Sequence, residues 1–236
     1  MANKLISSLL LLIAAYATTT SAAAVESGVP TTIAAHPYIA SLQGSDGSRV
    51  CAGALIDSKT VVTAATCLAF YDVAQLVVGV NNGARTVKIA KSSFDPSFDF
   101  VTMENDVAVL ILAEDVEADY IPLANEQPAS GSSGVVTSWA ANNSLVDISE
   151  TIISADDCVS GKYKYEDGEV FSSMLCGLAK NEACNAVAGS PLVANNQLVG
   201  LVSWGQGCAN KDNPAVFTNI AVLKSWIEKT ANNLKN

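Results

Sequence analysis

Short apolar runs separated by turn-forming clusters recur along the chain: "HPYIASLQ" (36–43), "KTVVTAA" (59–65), "AQLVVGV" (74–80), "RTVKIAK" (85–91), "VAVLIL" (107–112), "GVVTSWA" (134–140) and "PLVANNQLVGLVSW" (191–204). Runs of this length, bounded by Gly, Asn, Asp and Ser, predict strands of an all-β domain joined by short antiparallel connections. Asn82-Gly83 and Asn195-Asn196 each separate two such runs and predict hairpin turns. In "TVVTAATC", Thr60 to Thr63 reads as a buried strand that ends two alanines before Thr66 and Cys67.

One segment carries a helical period instead. In "NIAVLKSWIEKTANNL", Ile220, Leu223, Trp226, Ile227 and Thr230 recur at three- and four-residue spacing, predicting a helix over about 219–233 with Asn219 as its cap. The polar, small-residue stretch "LANEQPASGSSG" (123–134) predicts a connector between two β halves. No repeat or second independent domain stands out.

The N-terminus has the build of a secretory signal: Lys4, the apolar "LISSLLLLIAAYA", then the small residues of "TTTSAAA". This predicts a signal peptide over 1–22, a mature domain over 23–236 and an extracellular location. The apolar core is too short to span a bilayer, so no membrane anchor is expected.

Charge and cysteine content narrow the picture further. A net charge of -10 and a pI near 4.4 argue against nucleic acid and anionic membranes as partners. Six cysteines, Cys51, Cys67, Cys158, Cys176, Cys184 and Cys208, form an even set in an oxidising compartment and favour disulfides. With one histidine and no closely spaced cysteine pair, no metal centre and no cofactor are expected. Spacing alone leaves fifteen pairings open.

Seven segments in register carry a family resemblance: "GVPTTIAAHPYIASLQ", "CAGALIDSKTVVTAATC", "NDVAVLIL", "MLCGLA", "ACNAVAGSPLV", "LVGLVSWGQGCA" and "NPAVFTNIAVLKSWI". The chain resembles the trypsin-like serine proteases, most closely the digestive-type trypsins of insects. The resemblance implies two six-stranded antiparallel barrels with a cleft between them and a C-terminal helix. It also implies disulfides Cys51–Cys67, Cys158–Cys176 and Cys184–Cys208.

At the positions where the family carries its catalytic groups, the resemblance places Thr66 for the base, Asp106 for the orienting carboxylate and Ala188 for the nucleophile. A threonine hydroxyl does not shuttle protons near neutral pH as imidazole does, and a methyl group attacks nothing. His36, the single histidine, is read as structural. Ser190 falls two residues late and is a hydroxyl without a base. Asp106 is expected to be a buried carboxylate satisfied by Thr66, Ser203 and backbone N–H groups.

Other family positions depart in the same direction. Ala186 stands at an oxyanion-hole glycine, Glu182 at the pocket floor and Ala215 at a pocket-wall glycine, while Ser203, Trp204 and Gly205 are kept. Val25, Glu26, Ser27 and Gly28, preceded by Ala24, replace the activation N-terminus, and Val187 replaces its buried aspartate partner. Trypsin-type zymogen activation is therefore not expected.

The resemblance then implies a secreted serine protease homologue that is not an enzyme and works by binding an extracellular protein such as a protease, an inhibitor or a substrate. It would act as a monomeric cofactor, decoy or regulator. The alternatives are residual or altered serine endopeptidase activity, and a structural or nutritive secreted protein. Asn142-Asn143-Ser144 is a candidate glycosylation sequon.

Overall fold

The computed structural model describes residues 28–81, 83–179, 186–205 and 212–236. In the first half lie β1 (Val29–Pro30), β2 (Ile39–Gln43), β3 (Arg49–Leu55), β4 (Thr60–Thr63), the one-turn helix α1 (Thr66–Ala69), β5 (Val77–Val80), β6 (Arg85–Phe94) and β7 (Ala108–Leu112). The second half holds β8 (Ser133–Trp139), β9 (Leu145–Ser154), the one-turn α2 (Ala155–Cys158), β10 (Met174–Ala179), β11 (Pro191–Ala194), β12 (Gln197–Trp204), β13 (Ala215–Asn219) and α3 (Ile220–Lys235).

Strands β2 to β7 close into an antiparallel barrel in the order β2-β3-β4-β7-β6-β5. The second sheet runs β9-β10-β13-β12-β11-β8 and closes where β8 pairs back onto β9, with β1 added at the outer side of β9. Two six-stranded barrels and a C-terminal helix are thus present, as the resemblance implied. Closure removes the exposed edges that would otherwise invite pairing with other chains.

Burial explains which runs became strands. All residues of β4 and of β7 are buried, so these strands read as continuous apolar or Thr-flanked runs rather than as alternating ones. Helix α3 lies against β7 and β12 and buries Ile220, Leu223 and Ile227 of the predicted stripe together with Ala231, which the sequence reading did not include. Trp226 and Thr230 sit half-buried at the border of that stripe.

Asn219 does occupy the cap position of α3, but its side chain makes no capping bond. Its Nδ2 donates instead to Gln127 Oε1 at 2.7 Å, tying the helix start to the inter-barrel connector. The helix itself runs from Ile220 to Lys235, two residues beyond the expected end. The 123–134 connector is tied down at its start and runs into a strand at its end. Ala124 N–H already donates to Leu198 O at 3.0 Å, and Ser133 and Gly134 belong to β8.

Both predicted hairpins form. Asn195 and Asn196 link β11 to β12 with φ of 51° and 57°, the two left-handed residues a tight β-turn of matching twist requires. Strands β5 and β6 pair from Val80↔Arg85 onward; Asn82 lies outside the described residues.

Two disulfides join described residues, Cys51–Cys67 and Cys158–Cys176. The first fastens α1 to β3 and the second α2 to β10, and each closes a short loop for roughly 3 kcal/mol on a chain-entropy estimate. Cys184, Cys208, Glu182, the 1–22 segment and Val25 to Ser27 lie outside the described residues.

Candidate functional site

The junction of the two barrels gathers residues from four elements around Asp106. This aspartate lies two residues before the start of β7 and is 1% exposed. Its Oδ1 accepts the Thr66 N–H at 2.8 Å, which gives the start of α1 the acceptor that Ala65 cannot supply. Its Oδ2 accepts Ser203 Oγ–H at 2.5 Å and Thr66 Oγ–H at 3.3 Å. Its backbone carbonyl accepts Thr218 Oγ–H at 2.6 Å, which fixes the residue to β13.

Burial pushes the Asp106 carboxyl above the usual carboxylate range, and the bonds from Ser203 and Thr66 pull against that shift. Thr66 and Ser203 therefore satisfy Asp106 as the sequence led us to expect. The centre they form is a buried carboxyl carrying two hydroxyls.

The segment 186–190 is stitched to both barrels. Ala188 O accepts Ala52 N–H from β3 at 2.8 Å, and Gly189 N–H donates to Val202 O on β12 at 2.8 Å. Cys67 Sγ lies 3.7 Å from Ala188 O, so Ala188 sits beside the residue that follows Thr66. Gly189 has φ of 78°, and a Cβ there would meet Ala52 O at 2.2 Å.

Ser190 is fully buried and its Oγ lies 2.8 Å from Ser138 Oγ. Val187 packs on the apolar group of Ile39, Ala52, Trp139 and Leu145, and its N–H donates to Ser138 Oγ at 2.9 Å. Ser138, Ala52 and Gly189 were not singled out in the sequence. Only the glycine carried a local signal, since a glycine suits close backbone approach.

His36 stands elsewhere. Its Nε2 is 2.8 Å from Asp147 Oδ2 and its Nδ1 is 3.0 Å from the Tyr38 hydroxyl. Burial pushes the Tyr38 phenol up to about 12, so this hydroxyl keeps its proton. Asp147 also accepts Thr137 Oγ–H at 2.8 Å. The imidazole is held in a structural network, as expected.

The second barrel forms the other wall. The β11 register of β12 ends at Leu201, and past an irregularity at Ser203 the strand pairs, among the described residues, with β13 through Trp204↔Val216. The Trp204 ring packs edge-on against Tyr165 at 5.6 Å, and Gly205 is exposed. Ala186 and Ala215 are half-buried against the core of the second barrel. Among the described residues, no cluster of His, Cys, Asp and Glu could hold a metal ion, and no helix is long and apolar enough to cross a membrane.

Comparison with known proteins decides the family. The family model described as Trypsin matches residues 25–227. The chain belongs to the trypsin family of serine proteases. It is 38% identical over 229 residues to "Trypsin" of Sarcophaga bullata, covering 89% of this chain and 90% of that one. It is 39% identical over 223 residues to "Trypsin theta" of Drosophila erecta, covering 86% and 84%. "Trypsin alpha" of Drosophila melanogaster is 33% identical over 228 residues.

These relatives correct the expectation that the chain is not an enzyme. Trypsin-named proteins 38% and 39% identical over most of the chain support a protease. Thr66 and Ala188 nevertheless carry a hydroxyl and a methyl group, so proton transfer between an imidazole and a serine has no counterpart in those two side chains. Around Asp106 the described residues offer the two hydroxyls of Thr66 and Ser203.

Proposed function

We propose that this chain is a secreted serine protease-like protein that takes an extended polypeptide into the cleft between its barrels. The observation that carries this is the end of β12 at Ser203 and Trp204 and the exposed Gly205 that follows, where β11 has ended and, among the described residues, the side away from β13 has no paired strand, so that backbone groups can pair with an incoming one. Family membership supports a polypeptide as the ligand. The apolar N-terminal segment and the even cysteine set support secretion.

The test is binding of extended peptides to the wild type and to Gly205→Glu at low and high salt. The variant is expected to bind at least about tenfold more weakly without unfolding, because a side chain at 205 obstructs the backbone approach. Normal binding by the variant, together with loss of wild-type binding at high salt, would overturn the cleft reading in favour of the acidic exterior.

Two chemical outcomes of that engagement have separate support. Altered serine endopeptidase activity is favoured by the relatives named trypsin. It expects new N-termini in an unfolded protein substrate, formed at a rate that Asp106→Asn and Ser203→Ala reduce. Holding an extracellular protease, inhibitor or substrate as cofactor, decoy or regulator is favoured by the side chains of Thr66 and Ala188. It expects saturable capture with the bound chain recovered intact. N-terminal sequencing of the substrate after prolonged incubation decides between them.

We also propose Asn142 as a glycan acceptor. Its Oδ1 accepts the Ser144 N–H at 3.0 Å and Oγ–H at 2.6 Å on an exposed turn, bringing the hydroxyl against the carboxamide of the sequon. Protein secreted from a glycosylating host is expected to lose mass on N-glycosidase treatment, and Asn142→Gln to abolish that loss. An unchanged mass for the treated wild type would remove the assignment.

A further inference from the structure

Arg49 is one of two arginines in a chain with net charge -10. The other, Arg85, pairs with Glu114 at 2.9 Å. Among the described residues Arg49 has no carboxylate partner. Its guanidinium carbon instead lies over the Trp139 ring, 4.0 Å from the centroid, and its Nη1 donates to Asn143 Oδ1 at 3.1 Å. Its Nε is buried without a hydrogen-bond partner. The nearest acid in sequence, Asp46, is occupied by the N–H and Oγ–H of Ser48.

The ring beneath is firmly placed. Trp139 ends β8, is 3% exposed and packs with Ile39, Ala52 and Leu145. Stacking on a fixed indole and a bond to Asn143 hold the guanidinium in one orientation, so little side-chain entropy is left to lose on binding. The group faces an open cavity of about 670 Å³ shared by Gly47, Ser48, Trp139, Asn143 and Val187. That lies within the roughly 300–1,000 Å³ of ordinary ligand sites.

From this geometry we infer that the Arg49–Trp139 corner is a carboxylate-binding site of the cleft, taking an acidic side chain or the free C-terminus of the bound polypeptide. A planar, preoriented guanidinium is the side chain best matched to a carboxylate, and the apolar wall of Val187 keeps the bond from being fully hydrated. Val187 joins this corner to Ala188 and the Asp106 cluster, so one extended chain reaches both. The inference rests on the proposed engagement of an extended polypeptide and names the chemistry that engagement selects.

The test uses three hexapeptides titrated calorimetrically into the whole protein: an end-blocked alanine peptide with one Glu, its Gln counterpart, and hexa-alanine with a free C-terminus. At least one acidic peptide is expected to bind about tenfold more tightly than the Gln peptide, the worth of one charge-assisted pair. Whichever acidic peptide shows the preference identifies the side chain or the terminus as its source. Arg49→Gln should erase the preference while leaving the Gln peptide unaffected, and Arg49→Lys should restore only part of it, because an ammonium neither stacks nor forks. Equal binding of the three peptides, or a preference that survives Arg49→Gln, overturns the inference. If the Gln peptide binds and Gly205→Glu weakens it without any acid preference, this inference alone fails. If no peptide binds, the polypeptide reading fails with it.

Discussion

Glutamine in place of Glu150 is expected to stabilise the folded protein by roughly 3 kcal/mol at pH 7 and to change little at pH 4. Glu150 lies on β9, is 3% exposed, and its Oε2 has no hydrogen-bond partner. A Cβ on Gly177 would stand 3.1 Å from Oε2, with the Phe217 ring also against it. Burial alone pushes its carboxyl from the ordinary 4.5 up to about 8.

The sign follows from which state releases the proton first. Below pH 4.5 both folded and unfolded chains hold the proton, and Glu150 costs nothing through ionisation. Between 4.5 and about 8 the unfolded chain ionises while the folded one does not, so stability falls as pH rises through that window. At about 1.4 kcal/mol per pH unit, the climb from 4.5 to 7 amounts to roughly 3 kcal/mol, which an amide of the same shape does not lose. Asp106 is shifted in the same direction, so the difference between wild type and variant, rather than the wild-type curve, isolates Glu150. Urea unfolding of both proteins at pH 4 and pH 7 measures it. An equal difference at the two pH values would show that Glu150 is already ionised in the fold.

Glu150 also shows where reading the chain by pattern stops. Strand β4 was legible residue for residue because it is buried on every side, and its Thr and Val side chains favour extended structure. Strand β9 interrupts its apolar alternation with Asp147 and Glu150, and its run is not recognisable as one buried segment. Strands β3 and β10 hide for another reason: "RVCAGAL" and "MLCGLA" are rich in Ala and Gly. Those glycines answer to packing. A Cβ on Gly53 would meet Val61 Cγ1 at 2.7 Å, and one on Gly177 would meet the Phe217 ring at 2.6 Å. Helices α1 and α2 are single turns, too short to show a helical period.

At the site, the grouping of Thr66, Asp106 and Ser203 followed from family register, and the structure joins all three by hydrogen bonds. The conclusion drawn from it, that the protein is not an enzyme, is the part the trypsin relatives corrected. Residue chemistry at two positions speaks to one proton-transfer route, whereas identity across most of the chain speaks to the protein as a whole. The Ala188–Ala52 seam and the Arg49–Trp139 stack were not legible at all, because each joins segments far apart in sequence and neither has a local motif.

That seam makes Gly189 the position where fold and site are most tightly coupled, and Gly189→Ala is expected to cost about 3 kcal/mol of stability. Two independent strains add. The backbone is left-handed at φ of 78°, which a side chain disfavours, and the new methyl would stand 2.2 Å from Ala52 O and 2.6 Å from Thr63 Oγ. Neither neighbour yields easily, since Ala52 O accepts Thr63 Oγ–H at 2.6 Å inside β3 and β4. The least costly relief is for segment 186–190 to lift away from the first barrel, breaking the Ala52 N–H to Ala188 O bond. Val187 would move with it, so peptide binding in the cleft should weaken together with stability. Thr63→Ala removes only one of the two obstructions, so the double variant should regain a minority of the loss. Denaturation and peptide titration on the single and double variants measure this. Full stability in Gly189→Ala would mean that the seam between the barrels is looser than its hydrogen bonds indicate.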